Sequence, residues 1–205
     1  EAPDNLRRLD VSHVWMIDPM DGTREFIAHR GEFAVQIGLV VDGTPVLGVV
    51  YQPTENKLYS AAKGLGAFLE SNGARIPLHV SDEATASRMT MAVSRSHYSR
   101  RVDAVRERLC IKNLLPLGSV GLKVGALCEG GAHVYIHTGN RTHVWDTCGP
   151  EAILREAGGR MTDISNEPLE YRAHAVQNPN GLIATNGVIH DRVVQVVQSV
   201  LESFR

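Results

Sequence analysis

Two short segments of the sequence carry side chains suited to chemistry, and the first reads Asp-Pro-Met-Asp-Gly-Thr. It places two carboxylates three residues apart at the end of an apolar run. Pro19 fixes its own φ and Gly22 permits a tight bend. The turn can therefore direct Asp18, the Met20 carbonyl and Asp21 into one small space. Ligands made only of oxygen suit a hard cation such as Mg²⁺.

Gly22 and Thr23 extend this chemistry towards anions. Their backbone N–H groups can hold a phosphate beside the metal, and the Thr23 hydroxyl can position a water. The same residue types also make an ordinary surface turn. The apolar run Trp15-Met16-Ile17 favours the functional interpretation, because functional residues tend to lie on loops that a rigid element holds in place.

The second segment, VWDTCGPEAILREAGG, begins at Val144 and places Asp146 directly after a tryptophan at the start of a predicted helix. A carboxylate at this position can cap the helix by accepting backbone N–H bonds. It can also supply a third carboxylate to a metal site, provided that the fold brings it to Asp18 and Asp21. The residues alone leave both interpretations open.

Composition limits the classes of partner. The chain has 205 residues and a net charge of −2, with no stripe of basic residues, so we expect no nucleic-acid polymer as a partner. No run approaches the ~20 apolar residues that span a membrane, so we expect no membrane partner. The three cysteines form no C-x-x-C pair, which favours reduced thiols and a cytoplasmic location. A small anionic substrate remains compatible, because its site needs only local positive charge.

The hydrophobic pattern predicts an α+β fold in two portions. Residues 1–110 contain β-rich runs separated by turn signals, with Asp42-Gly43 predicting a hairpin. Residues 111–205 alternate strands and helices, including a helix from Pro150 to Ala157. The antiparallel portion carries the metal turn and the α/β portion carries Asp146, so the proposed chemistry requires the two portions to pack together.

Taken together, the two segments identify a family. IDPMDGTREF resembles the D-P-x-D-G-T signature of the inositol monophosphatase superfamily, and VWDTCGPEAILREAGG resembles its second signature, W-D followed by an apolar helix and E-A-G-G. The resemblance covers essentially the whole chain. It implies a layered α/β/α/β/α sandwich of the inositol monophosphatase and fructose bisphosphatase type. It also implies Mg²⁺-dependent hydrolysis of a small phosphate ester, without a covalent enzyme intermediate.

The resemblance assigns roles to individual residues. Asp18 would bridge metal ions, and the Met20 carbonyl would bind one of them. Asp21 and Asp146 would bind another, and Asp146 would also contact the substrate. Thr23 would orient the attacking water and complete the catalytic set.

Further residues point to a branch of the superfamily. Arg24-Glu25-Phe26 after the D-G-T turn resembles the bisphosphate nucleotidase branch, as do GEFAVQIGLVVDGTPVLGVVYQP and the later SRSH. This branch implies removal of the 3′-phosphate from 3′-phosphoadenosine 5′-phosphate, a reaction of sulfur metabolism that yields AMP. Gly22 and Thr23 would contact the phosphate that is removed, Lys123 would supply a positive partner for the second phosphate, and His97 would contact the rest of the substrate. The alternative is a phosphatase of inositol 1-phosphate or of sugar phosphates.

The sequence departs from the family at its start. The family carries a Glu-Glu metal motif upstream of the D-P-x-D-G-T turn, and Glu1 falls near the place of its second glutamate. We therefore expect a chain that lacks the N-terminal helical part and that exposes an apolar sheet face. A non-catalytic binding subunit is the competing class of function, and a homodimer is left open.

Overall fold

The computed structural model describes residues 6–204 and contains two β-sheets. The first is a six-stranded antiparallel sheet whose strands follow one another in chain order. They are β1 (His13–Asp21), β2 (Ala34–Val41), β3 (Thr44–Gln52), β4 (Lys57–Ala62), β5 (Ala67–Ser71) and β6 (Ala74–Leu78). The hairpin predicted at Asp42-Gly43 joins β2 and β3, and both of its turn residues have positive φ.

The second sheet has five strands and mixed directions. They are β7 (Thr90–Ser94), β8 (Asn113–Leu117), β9 (Val134–His137), β10 (Arg160–Thr162) and β11 (Leu182–Thr185). Their order across the sheet is β10-β11-β9-β7-β8, and β7 runs parallel to both of its neighbours. The α-helices are α1 (Thr23–Ile27), α2 (Arg100–Leu109), α3 (Val120–Cys128), α4 (Val144–Glu156) and α5 (His190–Ser203), and two 3₁₀ turns span Leu6–Leu9 and Ala86–Arg88.

Helices α3 and α4 lie between the two sheets. One apolar cluster joins Val50 of the first sheet to Leu122 and Ile153 of these helices and to Leu182 of the second sheet. A second cluster packs α2 and α5 against the other face of the second sheet. The layers therefore run sheet, helix, sheet, helix. The predicted α+β fold is confirmed.

The outer face of the first sheet exposes apolar side chains. Trp15 and Ile17 on β1 are 59% and 56% exposed. They pair across the sheet with Leu39 and Ile37, which are half-buried. The sequence predicted an apolar face of this kind. Glu1, the residue placed near the upstream glutamate motif, lies outside the described residues.

The change from one sheet to the other falls between β6 and β7. Strand β7 and helix α2 lie within residues 1–110, yet they pair and pack with the second sheet. The sequence grouped them with the first portion because β7 finds its parallel partners after a crossover, which no local pattern reveals. A division into two domains at residue 110 stays a prediction. One core cluster contains residues of both portions.

Helix α4 approaches the first sheet through glycines. A Cβ added at Gly48 on β3 would collide with the backbone of Gly149, and one at Gly149 would lie 2.8 Å from the Ile37 carbonyl oxygen. Only glycine lets two backbones approach this closely. The contact holds the middle of α4 against β2 and β3. Within residues 6–204, no helix is long and apolar enough to cross a membrane.

Candidate functional site

Three carboxylates from the two sequence segments meet at one place. Ligand oxygens of Asp18, Asp21 and Asp146 all lie within 4.8 Å of one another, and all three residues are partly buried. Asp18 and Asp21 end β1, whereas Asp146 lies in the first turn of α4. The convergence that the sequence required of the fold is present.

A bulged strand end shapes the turn that carries two of these carboxylates. The pairing of β1 with β2 changes register between Asp18 and Asp21. The Met20 amide donates a 2.9 Å hydrogen bond to Asp18 Oδ1, and the Thr23 hydroxyl donates one of 3.1 Å to the Met20 carbonyl. Gly22 has a φ of 93°, and a Cβ there would meet the backbone 2.7 Å away. The turn therefore requires glycine at this position.

Asp21 is held by three donors. Its Oδ2 accepts hydrogen bonds from Gln36 Nε2 at 2.6 Å, from the Ser119 hydroxyl at 2.5 Å and from the Gly121 amide at 3.1 Å. All three bonds go to one oxygen of the carboxylate. The arrangement fixes the side chain and leaves Oδ1 outside this set of donors.

The Asp146 side chain accepts a hydrogen bond at the start of α4 and also belongs to the carboxylate cluster. Its Oδ2 accepts a 2.8 Å hydrogen bond from the backbone amide of His143, the residue that precedes α4. The His143 ring stacks on Trp145 with ring centroids 4.7 Å apart. The capping interpretation and the cluster interpretation are therefore compatible.

The crowding of carboxylates changes their protonation. Burial, followed by the nearby charge of Asp21, raises the pKa of Asp146 to about 8. Burial also raises the pKa of Asp21, opposed by the positive charge of Lys123. Carboxylates this close repel one another when ionised, and a divalent cation would offset that repulsion. The oxygen-only set of donors fits Mg²⁺ or another hard cation.

Lys123 lies on α3 and is only 3% exposed. Its ammonium donates hydrogen bonds to the carbonyl oxygens of Gly118 and Ser119 and lies 5.0 Å from the centroid of the Tyr135 ring. Burial lowers its pKa to about 8, opposed chiefly by Asp21. Two of the three N–H donors of the ammonium thus go to backbone carbonyls. A contact between Lys123 and a substrate stays a prediction.

A cavity of about 360 Å³ connects most of the candidate residues. Its walls include six of the residues that the sequence singled out: Asp21, Gly22, Thr23, His97, Lys123 and Asp146. His97 is exposed. Partial burial of its imidazole ring, followed by the positive charges of Arg24 and Arg141, lowers the pKa of His97. The imidazole is therefore neutral at pH 7.

Several residues of this site were not predicted from the sequence. Gln36 faces the core at a position where β2 alternates buried and half-buried residues, so a polar residue there was a readable signal. Ser119 precedes an apolar helical run, which marks a helix cap, but its bond to Asp21 depends on the fold. Arg141 lies in a loop and lines the cavity, and its sequence context gives no pattern.

Comparisons with known proteins agree with this fold and show the family of the chain. The model of the Inositol monophosphatase family matches residues 3–202. The 3′(2′),5′-bisphosphate nucleotidase CysQ of Escherichia coli K12 is 39% identical over 157 residues, which cover 77% of this chain and 61% of that protein. Human inositol monophosphatase 1 is 31% identical over 194 residues, covering 91% of this chain and 66% of that protein.

Comparison with a solved structure shows the same fold. The crystal structure of CysQ from Bacteroides thetaiotaomicron superposes with a TM-score of 0.79 at 31% identity, covering 90% of this chain and 74% of that one. The chain belongs to the Inositol monophosphatase family. It spans about three fifths of the length of the CysQ relative from Escherichia coli.

Proposed function

We propose that the protein is a metal-dependent phosphomonoesterase. The observation that carries this proposal is the convergence of Asp18, Asp21 and Asp146 within 4.8 Å, beside a turn that includes Gly22 and Thr23. Membership of the Inositol monophosphatase family supports it. The competing proposal, a binding subunit without activity, would retain the fold and lack turnover.

Asp18, Asp21, Asp146 and the Met20 carbonyl would hold Mg²⁺. When bound, the cation would polarise the phosphoryl oxygens, lower the pKa of the attacking water and stabilise the leaving oxygen. The chain's own task is to hold these ligands in place. The hydrogen bonds of Met20 to Asp18 and of Ser119 to Asp21 do so before any ligand arrives.

Thr23 would orient the attacking water. Its hydroxyl hydrogen is directed to the Met20 carbonyl, so its oxygen lone pairs can accept a hydrogen bond from that water. Gly22 precedes the short helix α1, whose first amides have no partner within the helix and can contact the phosphate. The water oxygen bonds to phosphorus, the bond from phosphorus to the ester oxygen breaks, and that oxygen takes up a proton. Asp146 and the neutral His97 would contact the rest of the substrate.

For the substrate we propose 3′-phosphoadenosine 5′-phosphate, which would give AMP and phosphate. Supporting this are the 39% identity to a 3′(2′),5′-bisphosphate nucleotidase and the Arg24-Glu25-Phe26 sequence after the turn. Inositol 1-phosphate is the second candidate, because the similarity to human inositol monophosphatase 1 extends over 91% of the chain. We propose a cytoplasmic location, in keeping with three free cysteines. We also propose a homodimer as the state of assembly.

Phosphate release from the two substrates, measured side by side with Mg²⁺ and with EDTA, tests the proposal. We expect Mg²⁺-dependent turnover with a higher kcat/KM for the nucleotide. Asp21→Asn is expected to abolish turnover of both substrates, because it weakens a metal ligand. Preference for inositol 1-phosphate would replace the proposed substrate. Absence of turnover of either, in protein that retains its fold, would favour the binding subunit.

A further inference from the structure

A second cavity, of about 810 Å³, opens beside the candidate site. The two cavities share five wall residues: Arg24, Ser94, His97, His137 and Arg141. The first cavity contains the carboxylates of Asp21 and Asp146. The second has arginines in its wall and, among the described residues, no carboxylate. We call this second cavity the arginine pocket and define it by Arg24, Arg100, Arg101 and Arg141.

The arginine pocket concentrates positive charge in a protein whose net charge is −2. Other arginines nearby have acidic partners: Arg95 pairs with Glu32 and Arg106 pairs with Asp103. Within residues 6–204, the four arginines of the pocket form no ion pair with a carboxylate. Their guanidinium groups are therefore available to an anion from solution.

The position of two of these arginines is unfavourable for the helix that carries them. Arg100 and Arg101 are the first two residues of α2, where the positive end of the helix dipole repels cations. Ser99 caps this helix in the ordinary way, by accepting a hydrogen bond from the Val102 amide at 3.3 Å. Local rules of this kind are broken most often at functional sites. The helix end and both side chains add to the same positive potential.

Two histidines lie in the wall that the two cavities share. Burial, followed by the nearby charges of Lys123, His97 and Arg141, lowers the pKa of His137 to about 4. Both histidines shared by the two cavities are therefore neutral at pH 7. They can accept or donate a hydrogen bond to a ligand without adding charge.

We propose that the arginine pocket binds the second anionic group of a substrate whose first phosphate lies at Asp18, Asp21 and Asp146. This inference rests on the proposed function, and for 3′-phosphoadenosine 5′-phosphate the second group is the 5′-phosphate. Guanidinium groups bind phosphate through paired, charge-assisted hydrogen bonds. Two of the three N–H donors of Lys123 go to backbone carbonyls, and the four arginines form no ion pair among the described residues, so we expect the arginines to supply most of the charge that distinguishes a bisphosphate from a monophosphate.

Two nucleotides that differ only in the 5′-phosphate test this inference: adenosine 3′,5′-bisphosphate and adenosine 3′-phosphate. The double variant R100Q/R101Q is expected to raise KM for the bisphosphate roughly 10- to 100-fold, as expected for the loss of one or two charge-assisted contacts. KM for the monophosphate and kcat for both should stay within about twofold, since the carboxylates are untouched. Equal effects on the two nucleotides, or no effect on either, would overturn the inference.

The control is Arg192→Gln, which removes one positive charge, against two in the double variant, from an exposed position on α5. Arg192→Gln should leave KM for both nucleotides unchanged. A similar rise in KM for the bisphosphate in this variant would show that the effect comes from net charge, and it would overturn the inference. If the wild-type protein hydrolyses neither nucleotide, the proposed function fails while the pocket can still be tested. Calorimetric titration with adenosine 5′-phosphate should then show binding that R100Q/R101Q weakens and Arg192→Gln does not. Absence of that difference would reject the pocket as well.

Discussion

Ser119 donates a 2.5 Å hydrogen bond to Oδ2 of Asp21, although 98 residues separate the two in the chain. The same hydroxyl accepts a 3.1 Å hydrogen bond from the Leu122 amide and so caps α3. One side chain thus fixes the start of a helix between the sheets and the orientation of a carboxylate at the edge of the first sheet.

Replacement of this serine should affect turnover more than stability. In Ser119→Ala we expect kcat/KM to fall roughly 10- to 100-fold, as for other residues that orient metal ligands. The lost cap should lower the free energy of unfolding by about 1 kcal/mol. Phosphate release at several Mg²⁺ concentrations and urea denaturation measure the two effects. Ser119→Thr should restore most of the activity, and Ser199→Ala on α5 serves as the control. If Ser119→Ala keeps full activity, the orienting role is wrong.

The carboxylate cluster should make the effect of Mg²⁺ depend on pH. Because the pKa of Asp146 rises from its ordinary 3.8 to about 8 on folding, the metal-free protein loses stability as pH rises between these values. Protons and Mg²⁺ compete for the same oxygens. We therefore expect Mg²⁺ to raise Tm by a larger amount at pH 8 than at pH 6, measured by thermal unfolding.

Asp146→Asn provides the comparison for this measurement. The amide removes one negative charge from the cluster, so the metal-free variant should have a higher Tm than the wild type at pH 8. Its Tm should respond to Mg²⁺ much less at either pH. A wild-type response to Mg²⁺ that persists unchanged in Asp146→Asn would show that the cation binds elsewhere.

The glycine contact between α4 and the first sheet should be intolerant of added atoms. Gly48→Ala is expected to lower the free energy of unfolding by about 2 kcal/mol, because the new methyl group would overlap the backbone of Gly149. Urea denaturation measures this loss. The control is Gly131→Ala, whose Cβ would lie at an ordinary 3.6 Å from its nearest neighbour. Equal losses in the two variants would contradict the packing argument.

Acid should destabilise the protein through a histidine far from the carboxylates in sequence. His190 is 1% exposed, its two ring nitrogens lie 2.9 Å from the hydroxyls of Thr162 and Thr185, and burial lowers its pKa to about 4. The unfolded chain binds the proton near pH 6.5, so stability should fall as pH drops from about 6.5 to about 4. Urea denaturation across this range should show a weaker pH dependence in His190→Gln. An identical slope in that variant would exclude His190 as the cause.

The sequence predicted the convergence of the three carboxylates better than it predicted the boundaries of the elements. The helix that was predicted to begin at Pro150 begins at Val144 in the structure. The prediction started too late because it placed Pro150 at the first helical position, which proline usually occupies. The structure places Pro150 inside the helix, where it withholds an amide from the Asp146 carbonyl. Strand β6 was missed because four of its five residues are exposed, so no alternation of buried positions marks it.

The neighbours of the site differ in whether the sequence could have revealed them. Strand alternation could have identified Gln36, since polar residues rarely face a core without a partner. By contrast, Arg24 of α1 and Arg100 of α2 line one cavity only because the tertiary fold brings them together. Contacts of that kind arise only from the tertiary fold, and no spacing within the sequence encodes them.

The glycine contact also bears on how the site can change over evolutionary time. Between Gly48 and Gly149 no side chain intervenes, so no rotamer can rearrange there and no substitution can be absorbed gradually. Sequence changes in the surrounding loops should therefore leave the position of Asp146 relative to the first sheet unchanged. The rim of the arginine pocket is exposed and carries no such constraint. Substitutions at the rim can change the binding of an anionic ligand, while the spacing of the three carboxylates stays the same.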